Sequence, residues 1–120
     1  MLEILPETEG KLLVAKASNK LTTKDYEDIF IPKLNKLIEQ HGKIRILMFL
    51  DKSFSGWELG AAWDDAKFGI EHRKDFEKIA VVGGPKWVDW CTKIGGYFMS
   101  IEVNTAEASG FQKALDWIKA

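Results

Sequence analysis

A few side chains in this sequence have the type and spacing to do chemistry. Cys91 is the one thiol among 120 residues. A nucleophilic cysteine needs a base or a helix N-terminus to lower its pKa, and Cys91 instead shares a three-four spaced stripe with Trp87 and Ile94, the setting of a buried thiol. His41 and His72 are the two histidines, and neither has the HxxxH or CxxC company that fixes a metal, so no metal is expected. His41 falls at a helix C-terminus, where positive charge complements the dipole. His72 stands between Glu71 and Arg73, as an exposed charged helix end that could also touch a ligand or partner. Asp64, Asp65, Lys67 and Glu71 could do acid-base work, but Lys67 and Glu71 are an i,i+4 pair, and the group reads as a solvated helix face. Gly83-Gly84-Pro85-Lys86 could cradle a phosphate at a helix start. It matches neither GxGxxG nor GK[ST], and Pro85 removes a donor, which favours an ordinary strand-to-helix turn. No catalytic constellation and no cofactor site emerges, so the chain reads as non-enzymatic.

Tryptophan is the stronger signal. There are five Trp against two Tyr. Trp57 and Trp63 lie on or just before one helix, and Trp87 and Trp90 lie on the next. If those helices are neighbours, the four indoles and Phe54 could line an apolar cleft for a small hydrophobic molecule. An aromatic core and a protein-docking face remain open beside it, because Trp is enriched in all three.

The rest of the composition narrows the class. With 17 basic and 18 acidic residues and a net charge of −1, nothing draws the chain to nucleic acid or an anionic membrane. Only Arg45 and Arg73 could supply bidentate phosphate or base contacts. A single cysteine allows no intrachain disulfide and suits a reducing, cytoplasmic setting. The acidic, Pro6-broken N-terminus does not resemble a signal peptide. The longest apolar run, Ile46 to Leu50, falls far short of the roughly 20 residues of a transmembrane helix.

Elements that could position these groups follow from periodicity. Leu2 to Leu5 and Leu12 to Ala17 read as two antiparallel strands around a turn. Thr22 and Asp25 have the spacing of a capping box, and Tyr26, Ile29, Phe30, Leu34, Leu37 and Ile38 recur as a helical stripe ending at Gly42. Pro32 inside that stripe predicts a kink or two abutting helices. Ile44 to Leu50 is apolar at all but one position, the pattern of a central strand buried on both faces. A loop over 51–56 leads to a helix over about 58–73, where Leu59, Ala62, Trp63, Ala66 and Ile70 share a face. A strand over Lys78 to Val82 and a Pro85-initiated helix come next. A short strand over Ile101 to Val103 follows, then an expected capping box from Asn104 to Glu107 and a helix burying Phe111, Ala114, Leu115 and Ile118. The order ββαβαβαβα predicts one α/β domain over 1–120, with a mixed, mostly parallel five-stranded sheet and about four helices.

The loop Asp51-Lys52-Ser53-Phe54-Ser55-Gly56 between a buried strand and a helix resembles that of the STAS domains of anti-sigma-factor antagonists. The chain is most similar to the bacterial SpoIIAA-like branch. The likeness lies in Phe54-Ser55-Gly56-Trp57, Ala62-Trp63-Asp64-Asp65, His72 with Asp75-Phe76, and Ile79-Ala80-Val81-Val82-Gly83 with Trp87. It spans nearly the whole chain and implies a SpoIIAA-like (STAS) fold and a regulatory role. In that role an anti-sigma-like protein partner docks on the loop 51–57 and the following helix, with phosphorylation at Ser55 or Ser53 as the switch. The fold is shared with CRAL-TRIO lipid carriers, which implies the alternative of a small hydrophobic ligand. Phe54, Trp57, Trp63, Trp87, Trp90 and His72 are the candidate ligand- or partner-binding residues. A homodimer is a further expectation.

Overall fold

The computed structural model describes residues 1–86, 88, 92–93 and 101–120. Strand β4, Ile44–Leu50, is the middle of a five-stranded sheet in the order β1-β2-β4-β6-β7. Its flanks are β2, Leu12–Ala17, and β6, Phe76–Gly83, both parallel to it. The edges are β1, Leu2–Ile4, antiparallel to β2, and β7, Glu102–Ala106, parallel to β6. Successive β4 side chains go to opposite faces, and both faces are covered. Ile44, Ile46 and Leu50 pack with Tyr26, Phe30, Leu34, Ala61 and Phe68 on one side. Leu47 packs with Val14, Ala80, Leu115 and Ile118 on the other. This is why the strand is apolar throughout rather than alternating.

Thr22 and Asp25 form the expected capping box. The Thr22 N–H donates to the Asp25 carboxylate at 2.9 Å, and the Asp25 N–H donates to the Thr22 hydroxyl at 3.1 Å. A π-helical turn, Asp25–Phe30, then runs into helix α1, Ile31–His41, with Pro32 in its first turn. There the missing proline N–H costs least. Gly42, at φ 80°, ends α1. Helix α2, Leu59–Glu71, lies with α1 on one face of the sheet, and helix α3, Phe111–Lys119, covers the other. The Arg45 guanidinium and Lys78 ammonium donate to the Ile118 and Trp117 carbonyls at the end of α3, satisfying groups that a helix C-terminus leaves free.

Two features depart from the sequence reading. A second sheet of two parallel strands, β3 (Lys20–Leu21) and β5 (Gly56–Trp57), was not anticipated, being too short to leave a periodic signal. The expected capping box at Asn104 does not form. Asn104 is paired with Ala80 inside β7, and α3 begins only at Phe111, after a 3-10 turn over Ala108–Gly110. Ladder hydrogen bonds to β6 win over the local capping option. Lys86, Val88, Thr92 and Lys93 are helical. The candidate site residues Trp87 and Trp90, and the expected buried thiol Cys91, lie outside the described residues.

Candidate functional site

Between the inner face of the sheet and the α1 and α2 side lies a cavity of about 260 Å³. Its wall is mostly apolar, with Ile46, Met48 and Val81 from the sheet and Phe30 and Phe68 from the helical side. Among the described residues four polar side chains line it, Trp57, Tyr26, Asp65 and Thr92, and the first three form a chain. The Trp57 indole Nε1–H donates to Tyr26 Oη at 2.9 Å, and the Tyr26 hydroxyl donates to Asp65 Oδ1 at 2.8 Å.

Each link is held by a different local device. The small sheet pairs Leu21 with Trp57, anchoring the loop 51–57 beside the segment that leads to Tyr26. Phe54 packs edge-on against the Trp57 ring at 5.1 Å. Tyr26 sits in the π-helical turn with its ring edge-on to Phe30 at 5.3 Å. Asp65 comes from α2, whose inward residues are Ala61 and Phe68. Burial, then the neighbouring Asp65 charge, pushes the Tyr26 hydroxyl far above the ordinary tyrosine range, so it stays protonated as a donor. Crowding by protein pushes the Asp65 carboxyl up, partly offset by the Tyr26 hydrogen bond. Asp65 nevertheless keeps a solvent-open surface, as a group on a cavity wall does, and that open surface is what a ligand would meet.

The sequence-predicted residues divide. Trp57 lines the cavity, whereas Phe54 is buried behind it and Trp63 and His72 lie outside the lining. His72 stacks on Phe68 at 4.2 Å, and its Nδ1 lies 2.9 Å from Asp75 Oδ2. Trp63 faces solvent, 70% exposed, as do Leu59 at 91% and Ile70 at 59%. The apolar stripe read on this helix therefore points outward. Asp65, which the sequence reading placed on a solvated face, instead turns toward Tyr26. The pairing of Tyr26 with Asp65 left no sequence signal, because it joins residues 39 apart. Ser55 and Ser53 are exposed. Ser53 is tied to the Asp51 carboxylate at 2.8 Å, and α2 starts at Leu59 with Glu58 as its N-cap, so neither serine sits at the helix N-terminus.

A mixed sheet with helices on both faces and a loop after the central strand defines a STAS-like α/β domain. The SpoIIAA-like family model matches residues 12–119, and the chain belongs to that family. It is similar to the crystal structure of an uncharacterized protein from Shewanella loihica with a SpoIIAA-like fold. That chain is 33% identical, with a TM-score of 0.75, and the match covers 98% of this chain and 93% of the other. No curated protein matches. Among the described residues no helix is long and apolar enough to cross a membrane.

Proposed function

We propose that this chain is a non-enzymatic regulatory domain that docks a protein partner through the loop 51–57 and α2. The observation that carries this is the outward alignment of Leu59, Trp63 and Ile70 on one helix. A solvated apolar stripe with a central Trp is what a partner surface covers. Glu58, Asp64, Lys67, Glu71 and Arg73 lie on and beside this helix with both signs of charge. That suits the polar rim of a protein interface rather than an anionic bilayer, which recruits runs of Lys and Arg. Ser55, exposed on the loop ahead of this face, is where a phosphate would alter docking. The family resemblance favours an anti-sigma-like regulator, with a second copy of this chain as the other occupant.

The test places a photoreactive benzoylphenylalanine at Trp63 in cells, identifies the cross-linked protein, and titrates that protein in purified form. Binding to the wild type that weakens at least about tenfold in Leu59→Ser/Ile70→Ser supports the reading. Equal binding by the variant refutes it. Light scattering of the purified chain decides whether the occupant is a second copy.

The cavity favours a second reading, carriage or sensing of a small apolar ligand. Native mass spectrometry of the purified protein would show a bound molecule above the 13.6 kDa chain. A clean apo mass counts against it.

A further inference from the structure

We infer that the cavity selects an apolar amine, with the alkyl or aryl body inside and a protonated nitrogen on Asp65. This rests on the ligand reading of the cavity and adds the charge and hydrogen-bonding sense of its occupant.

The direction of the polar chain decides the point. The Trp57 N–H is donated to Tyr26, and the Tyr26 O–H is donated to Asp65. The chain therefore ends on an acceptor, and no donor from it is left pointing at the ligand. Among the described residues Asp65 makes this one hydrogen bond, so a carboxylate oxygen remains to accept from a guest. A carboxylate holds about four acceptor sites in all. Asp64, next in sequence, has its Oδ2 buried without a hydrogen-bond partner, and its charge also raises the Tyr26 hydroxyl. No Lys, Arg or His is among the described lining residues. An anionic head such as a fatty acid's would meet like charge at Asp65, and among the described lining residues only the neutral Thr92 hydroxyl is left as a side-chain donor outside the chain, whereas an ammonium offers both the donors and the opposite charge. Because Asp65 is open to solvent, the charged head stays at the edge of the cavity and only the apolar body is desolvated.

The volume sets the size. At about 30 Å³ per water-sized unit, 260 Å³ admits a guest of roughly nine non-hydrogen atoms.

The probes are octylamine, 1-octanol and sodium octanoate, titrated at neutral pH into the wild type and Asp65→Asn. Calorimetry is the readout, together with the Trp57 indole N–H resonance assigned through Trp57→Phe. Octylamine should bind the wild type at least about tenfold more tightly than octanoate and move the Trp57 resonance. Asp65→Asn should weaken octylamine about tenfold while 1-octanol changes less than about threefold. Unchanged octanol binding also shows that the variant keeps its cavity. Octanoate binding as tightly as octylamine, or octylamine unaffected by Asp65→Asn, overturns the amine assignment while leaving a ligand cavity in place. Failure of all three probes to move the Trp57 resonance overturns the cavity reading itself.

Discussion

Replacing Tyr26 with Phe removes one oxygen and two hydrogen bonds, at 2.9 Å from Trp57 and 2.8 Å to Asp65, and leaves the ring on Phe30. No large void opens, so the cost is that of the polar chain rather than of lost packing. A net hydrogen bond contributes about 0.5–1.5 kcal/mol, and one to a charged group about 1.5–3 kcal/mol. Asp65 is already open to solvent, so water can replace the lost hydroxyl, which places the second bond at the low end and the total near about 2 kcal/mol. Unfolding entropy of about 2.1 cal/mol/K per residue gives about 0.25 kcal/mol/K for a chain of this length, so Tm should fall by about 8 °C. The assay is thermal and urea unfolding of Tyr26→Phe, Asp65→Asn and the double variant. The cycle should return a coupling above about 0.5 kcal/mol. A Tm within about one degree of the wild type, or strictly additive single variants, would show that the Trp57–Tyr26–Asp65 chain does not operate as a unit.

Further outcomes follow from burial, backbone and charge. Leu47→Ala, at a fully buried position of the central strand, should cost about 2–5 kcal/mol in urea unfolding, whereas Trp63→Ser should shift stability by less than about 0.5 kcal/mol. Gly83→Ala should cost about 2 kcal/mol or more, because φ is +83° and a Cβ would lie 2.5 Å from the Leu50 carbonyl oxygen; an unchanged urea midpoint would contradict that geometry. The pH profile should carry two opposite signs. Burial raises the Asp25 carboxyl, but its Thr22 hydrogen bonds and the Met1 ammonium outweigh that and hold it below its ordinary value. Its contribution is thus present above that value and lost as pH falls through the lowered one. Asp65 is raised from 3.8, so its contribution is present below 3.8 and lost as pH rises through the raised value. Relative to the wild type, Asp65→Asn should therefore gain stability as pH rises from below 3.8 through the raised value, and a constant difference in urea midpoints over that rise would refute the shift.

Period and local chemistry were enough to place the scaffold. The unbroken apolar run Ile44–Leu50 could satisfy itself only as a strand covered on both faces, and it is the central one. The Thr22–Asp25 spacing carries its own hydrogen bonds and needed no distant partner. Asn104 had the same kind of local signal and lost it to pairing with Ala80, because a ladder in place satisfies the backbone groups that a cap would have served.

The site was harder to read because periodicity gives the width of a stripe and not the direction it faces. Leu59, Trp63 and Ile70 do share one side of α2, yet the smaller, less apolar side bearing Ala61, Asp65 and Phe68 is the one turned to the sheet. That rotation exposes an apolar face and brings a carboxylate to Tyr26 in the same movement. The sequence by itself determined the α/β order, the central strand and the Thr22–Asp25 cap, all settled within a few residues of chain. Only the tertiary structure decided which face of α2 is wet and that Trp57, Tyr26 and Asp65 meet. Those contacts join residues 31 and 39 apart, through a two-residue sheet and a helix rotation that no short window of sequence encodes.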